Sequence, residues 1–243
     1  MTDTRVALVS GGTRGIGRAI TERLLADGWS VLATYVHDAE SAAALAARFP
    51  GLRVLRSDAS SSADCAFAVE ECLRHFGQID HVVSVAGITR DVLLAELSDD
   101  DWNDVVATNL SGPFRLARAA TPSVTASPRG RIVVISSVAA TMGNAQQGAY
   151  AASKAGLVGL TKTLARELAR SGTTVNLVIP GPTGDTGITA GTDPAFVAAI
   201  TRKIPLHRLG RPEEVAHAVR FLLDDLSAFT TGTAIVVDGG LSM

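Results

Sequence analysis

Tyr150 and Lys154 stand four residues apart in the stretch GAYAASKAG, residues 148–156. On a helix that spacing places a phenol and an ammonium on one face, a turn from each other. A free tyrosine has a pKa of about 10 and gives up its proton reluctantly, whereas a neighbouring cation stabilises the phenolate and makes the phenol a better acid. The pair therefore suits proton transfer to or from an oxygen. Small Ala151, Ala152 and Ser153 between them predict a helix packed close to a sheet. Each residue also has an ordinary use, since a helical tyrosine often packs and a lysine is usually solvated.

A second constellation lies near the start of the chain. VALVSGGTRGIGRAI, residues 6–20, reads as a strand, a glycine-rich turn and a helix. Gly11, Gly15 and Gly17 let the backbone turn tightly and approach a pyrophosphate, whose charge the free amides and positive end of the following helix attract. The spacing is G-x-x-x-G-x-G, and by itself it is also compatible with a plain tight turn. A dinucleotide with an unmodified adenosine ribose is usually met by an acid at the end of the second strand. In VLATYVHD that place holds Thr34, with Asp38 four residues beyond. Threonine can donate to a 2'-phosphate and Arg14 supplies positive charge, so NADPH is the expected cofactor. A solvated loop arginine and a plain strand-end threonine are the alternatives.

The elements that must position these residues are legible as a pattern. Short β-branched runs recur near residues 6, 31, 54, 82, 132, 175 and 234, separated by segments of helical periodicity such as Leu157, Leu160, Leu164 and Leu168. Continuous apolar strands alternating with amphipathic helices predict an α/β fold: a single-domain doubly wound parallel sheet of about seven strands, a Rossmann fold, with helices on both faces. No linker or charge block divides residues 1–243. The long strandless stretch from 181 to 215 suggests a substrate lid over 182–212, since ligands of such sheets sit beyond the carboxyl ends of the strands.

Composition narrows the classes further. With 243 residues and 47% hydrophobic content, the chain can bury a large core, and a net charge of −2 offers no general argument for nucleic acid or an anionic membrane. Cys65 and Cys72 are too few for a disulfide framework and badly spaced for a metal, which fits a reduced, cytoplasmic compartment. No signal peptide or membrane-spanning run is expected. His37, His75, His81, His207 and His217 lack metal-ligand spacing, and Trp102 is expected to pack its helix against neighbours.

Taken in order, Gly11, Gly15 and Gly17, Asn109 in TNL, Ser137 in ISS, and the Y-x-x-x-K pair Tyr150 and Lys154 resemble the short-chain dehydrogenase/reductase family over essentially the whole chain. AGITRD, TMGN and YAASKAGL are most similar to its bacterial 3-oxoacyl-acyl-carrier-protein reductases. The resemblance implies NADPH-dependent reduction of a 3-oxoacyl thioester, with Tyr150 giving the proton and Ser137 holding the carbonyl oxygen and the developing alkoxide. It implies that Lys154 also binds the nicotinamide ribose, and that Asn109 anchors a water linking Lys154 to solvent. Asn109 and Ser137 equally suit turn or cap positions.

Further cofactor contacts follow from the same likeness. Thr13 and Ile16 complete the glycine loop, Asp58 and Ala59 would meet the adenine, and Ala86 and Gly87 match the end of the family's N-N-A-G segment. Ser84 and Val85 replace both asparagines there, so that turn must be held by something else. Pro180 and Gly181 match the P-G whose backbone meets the nicotinamide carboxamide. An extra residue at Gly184 makes Thr186 the expected contact with carboxamide and pyrophosphate, and Thr183 the alternative. A homotetramer is implied, with the helices bearing Asn109 and Tyr150 at one interface and TAIVVDGGLSM near another. Acyl carrier protein, being acidic, would be steered by arginines, for which Arg129, Arg131, Arg166 and Arg170 are candidates beside the alternative of ordinary solvated charges. Two other functions stay open: action on another ketone/alcohol pair, such as a polyketide ketone or small carbonyl compound, and a NADP-binding regulatory protein without turnover.

Overall fold

A computed structural model describes residues 4–184, 186 and 194–243, the side chain of Phe196 excepted. Seven parallel strands form one sheet: β1 (Val6–Ser10), β2 (Ser30–Tyr35), β3 (Leu52–Arg56), β4 (His81–Ser84), β5 (Arg131–Ile135), β6 (Thr174–Pro180) and β7 (Ala234–Val237), in the order β3-β2-β1-β4-β5-β6-β7. The connecting helices are α1 (Gly15–Ala26), α2 (Ala39–Arg48), α3 (Ser62–Phe76), α4 (Asp99–Val106), α5 (Gly112–Ala126), α6 (Ala139–Met142), α7 (Gly148–Leu168), α8 (Pro194–Lys203) and α9 (Pro212–Leu222). All seven expected strands are present.

The alternation of side chains along the strands explains why both faces are covered. Leu8, Leu32, Val82, Ile132, Val134 and Leu177 point to a core shared with α3, α5 and α7. Val9, Val31, Ala33, Val83, Val133 and Val178 point to the opposite core with α1 and α9. Strand order reverses beside β1, which pairs with β2 on one side and β4 on the other. The crevice beyond the carboxyl ends of β1 and β4 is where such a sheet receives a ligand.

Several expectations are corrected. Trp102 on α4 is 39% exposed instead of packed away. Ala152 faces solvent; close approach of α7 falls to Ser153, which is buried, and to Gly156, where a Cβ would lie 2.9 Å from Leu110 Cδ2. Cys65 and Cys72 are buried free thiols. Among the described residues no group of metal-ligating side chains occurs, and no helix is long and apolar enough to cross a membrane.

Candidate active site

The glycine turn is fixed by close approach. Gly11 and Gly15 have φ of 65° and 49°, conformations that strain any residue with a Cβ. A Cβ at Gly17 would lie 2.0 Å from the Gly11 carbonyl oxygen, and one at Gly12 would strike Ala33 Cβ at 2.8 Å. Gly12 thus belongs to the turn, although the periodic glycines drew attention elsewhere. Arg14, the residue before α1, makes no side-chain cap and the first turn of α1 has no acid, so its amino-terminal amides and dipole are available to an anion. The residues present therefore fit a dinucleotide pyrophosphate. Thr13 is buried and Ile16 half-buried beside this turn.

Thr34 does not reach outward as expected. It is 4% exposed, and its Oγ1 accepts from the Gly11 amide at 3.2 Å, so it braces the turn from β2. Any selectivity for a 2'-phosphate then rests on Arg14 and on the absence of an acid from positions 36 and 37. Asp38 caps α2, accepting from Ser41 N at 3.0 Å; that bond, and more weakly the Arg14 charge, hold its carboxyl below the usual range. Asp58 Oδ1 accepts from both Ser60 N and Ser60 Oγ at 2.8 Å, and Ala59 shares the wall of a small cavity with Ser10, Thr34 and Gly112.

The altered N-N-A-G segment is held by a residue the sequence did not single out. Ser10 ends β1 directly beside Ser84 of β4, and its Oγ accepts from Val85 N at 3.1 Å and Ala86 N at 3.4 Å. A hydroxyl from the adjacent strand does what a side-chain amide within the segment would otherwise do. Val85 is free to pack into the core shared with α1 and α9. Only strand adjacency reveals this role, because Ser10 and Val85 are 75 residues apart.

Asn109, Ser137, Tyr150 and Lys154 come together at the carboxyl edge of β4 and β5. Asn109 lies in a π-helical turn, Ala107–Ser111, between α4 and α5. Its Oδ1 accepts from Ile88 N at 2.9 Å, and its Nδ2 donates to Ile88 O at 2.9 Å and Ser153 Oγ at 3.2 Å. The amide thus clips the loop after β4 to α7. Gly87 sits between Asn109 and Lys154: a Cβ there would be 3.3 Å from Asn109 Oδ1 and 3.5 Å from Lys154 Nζ. Ser137 follows β5; its Oγ accepts from Ala139 N at 3.2 Å, and its hydroxyl stands near enough to the Tyr150 phenol to favour the phenolate.

Lys154 is 3% exposed; its Nζ donates to Ile135 O at 2.9 Å and lies 5.7 Å from the Tyr150 ring centroid. Burial pushes the ammonium down from 10.5 to about 8. Tyr150 is 7% exposed, and here the expected direction is overturned. Burial raises the phenol above 10, the Ser137 hydroxyl draws it back in part, and the Asp91 charge raises it further. Desolvation of a phenolate outweighs its stabilisation by surrounding groups, so Tyr150 holds its proton at neutral pH and stands as a donor.

Beyond β6, Gly181 packs so tightly that a Cβ would meet Asp238 Cα at 2.8 Å, and Pro180 O accepts from Val138 N at 3.0 Å. Thr183 is buried, donates to Gly181 O at 3.0 Å and bridges to Gly210. Thr186 donates to Thr183 O at 2.9 Å and lies against the glycine turn, 3.6 Å from where a Gly15 Cβ would stand. Of the two threonines, Thr186 is the one beside the turn. Residues 185 and 187–193 of the expected lid lie outside the described residues.

The expected steering arginines are misplaced with respect to this chain's own cleft. Arg131 opens β5 and Arg129 precedes it, at the amino edge of the sheet. Arg166 lies in the last turn of α7, about 24 Å along the helix from Tyr150, with Arg170 beyond it. A strand–helix unit carries its chain back across the sheet, so all four sit at the edge opposite the site.

A family model described as "Enoyl-(Acyl carrier protein) reductase" matches residues 11–242. The chain is 43% identical over 242 residues to the 3-oxoacyl-(acyl-carrier-protein) reductase FabG of Escherichia coli (strain K12), covering 98% of each protein. The chain belongs to the short-chain dehydrogenase/reductase family. FabG of Vibrio harveyi is 42% identical over 243 residues, again with 98% of each covered, and that of Staphylococcus aureus (strain N315) 38% over 244, with 99% of each covered. A solved short-chain dehydrogenase/reductase from Serratia marcescens superposes with a TM-score of 0.93 at 34% identity, 98% of each chain covered. This member is an oxidoreductase, and a nicotinamide cofactor supplies hydride in its family's chemistry.

Proposed function

We propose that this short-chain dehydrogenase/reductase uses NADPH to reduce 3-oxoacyl thioesters carried on acyl carrier protein to the 3-hydroxyacyl thioesters. Relatives of that name, 38–43% identical over nearly the full chain, are the observation that carries this proposal. The chain's own residues support it. The Ser137 hydroxyl would donate to the ketone oxygen and hold it beside Tyr150, which gives its proton to that oxygen as hydride reaches the carbon. Lys154, still largely protonated at pH 7, would stabilise the phenolate left behind and meet the nicotinamide ribose hydroxyls. Asn109 would keep the loop after β4 in place. Gly11, Thr13, Arg14, Gly15, Ile16 and Gly17 would cradle the pyrophosphate and ribose phosphate, Asp58 and Ala59 the adenine, and Ala86, Gly87, Pro180, Gly181 and Thr186 the nicotinamide half.

Residues 182–212 would act as a lid, and a cytoplasmic homotetramer suits the same proposal. NADPH oxidation with an acetoacetyl thioester, set against simple ketones, tests the substrate class. Tyr150→Phe should lower kcat about 100- to 10,000-fold. A wild-type protein inert to every acyl thioester would remove the substrate claim; activity on simple ketones alone would favour another ketone/alcohol pair, and cofactor binding without turnover a regulatory protein. Tighter binding of NADH than of NADPH would refute the role given to Arg14.

A further inference from the structure

A short chain of hydrogen bonds ties the rim of the cleft to the helix that carries Tyr150, and no step above uses it. Asp91, in the loop after β4, accepts from Gln147 Nε2 at 3.2 Å. Gln147 Oε1 in turn accepts from Asn144 Nδ2 at 3.0 Å, and Val92 N donates to Gln146 O at 3.0 Å. Gln146 has a φ of 69°, uncommon for a residue with a side chain and sustained only where the surroundings fix it. Gln147 is the residue before α7, and its carbonyl accepts from Ala151 N at 2.8 Å. Whatever fixes Gln147 fixes the first turn of α7, and with it Tyr150.

We propose that Asp91 is a positioning residue for Tyr150: clamped to the start of α7 through Gln147, its carboxylate presents a fixed negative charge to the phenol and keeps the proton there until a substrate oxygen takes it. Among the described residues three groups on three elements act on the phenol. Ser137 after β5 favours the phenolate, and the Lys154 ammonium on α7, 5.7 Å from the ring centroid, favours it by its positive charge. Asp91 from the loop after β4 opposes them and sides with burial. A phenolate is no acid, so the balance decides the pH range over which Tyr150 can serve a reduction. The inference rests on Tyr150 being the proton donor of the proposed reaction, but its test needs neither substrate nor cofactor.

The chain has two tyrosines, and Tyr35→Phe leaves Tyr150 as the only one. Tyrosinate absorbance in the ultraviolet then reads the ionisation of Tyr150 directly. In that background Asp91→Asn keeps an oxygen to accept from Gln147 and removes only the charge; the ionisation constant of Tyr150 should rise about threefold, a titration displaced to lower pH. Gln147→Ala, which frees the carboxylate, should displace it the same way. The alkaline limb of kcat/KM for ketone reduction should move down with Asp91→Asn. An unmoved Tyr150 titration in Asp91→Asn overturns the proposal whatever the activity does. A moved titration in a protein inert to all carbonyl substrates would leave the proposal standing and remove the proposed function instead.

Discussion

Lys154 destabilises the fold that holds it. Its ammonium is buried, and the fall from 10.5 to about 8 is the signature of that cost. At pH 7 both folded and unfolded states carry the proton, and the gap between the two values corresponds to about 3 kcal/mol against folding. Between about pH 8 and 10.5 the unfolded chain binds the proton more tightly than the folded one, so stability from this group rises with pH and the cost is gone above 10.5. Lys154→Met keeps an unbranched apolar side chain in the same space and removes the charge. It also leaves the Ile135 carbonyl without its 2.9 Å donor, a loss of about 1 kcal/mol. The variant should therefore be more stable than wild type by about 2 kcal/mol at pH 7, and inactive. The advantage should vanish or reverse near pH 10.5. Urea unfolding of both proteins at pH 7 and at the alkaline limit, at one protein concentration, measures this. A variant less stable at pH 7, or an advantage that does not shrink with pH, would refute the assignment of a buried charged lysine.

Other expectations follow from the same contacts. Ser10→Ala removes the side-chain acceptor of Ala86 N and leaves Val85 N only the Ser10 carbonyl oxygen at 3.3 Å, so it should cost about 1 kcal/mol in thermal or urea unfolding, with weaker cofactor binding by titration. Gly17→Ala forces a methyl group to within 2.0 Å of the Gly11 carbonyl, so dinucleotide affinity should fall by at least tenfold even where the variant folds. His81 is fully buried, stacks on Trp29 at 4.6 Å, and burial, with Arg5, Arg131, Arg220 and Arg129 nearby, holds it well below 6.5. It is neutral in the fold and protonated when unfolded below about pH 6.5, so stability is lost as pH falls through that value. His81→Phe, which keeps a ring against Trp29, should flatten that acid limb in melting curves taken from pH 7 to 5.

Much of the molecule was legible before any coordinates. The seven strands, the glycine turn and the tyrosine–lysine pair are written in short spacings, and local spacing is what a periodic backbone converts directly into a face or a turn. The arginines failed because periodicity names an element but not which end of it faces the cleft. Thr34 failed because a strand-end hydroxyl can turn outward to a ligand or inward to the neighbouring loop, and only the packing against Gly11 chooses.

By its sequence alone this chain determined a doubly wound α/β fold and the kinds of group that could transfer a proton beside a dinucleotide. Tertiary structure decided the rest: that Ser10 holds the turn two asparagines would otherwise hold, that Asn109 clips the loop after β4 to α7, and that burial raises the Tyr150 phenol while lowering the Lys154 ammonium. The reason is physical. A hydrogen-bond partner or a desolvated charge depends on what lies within a few ångströms in space, and residues 75 positions apart become neighbours only once the strands have paired.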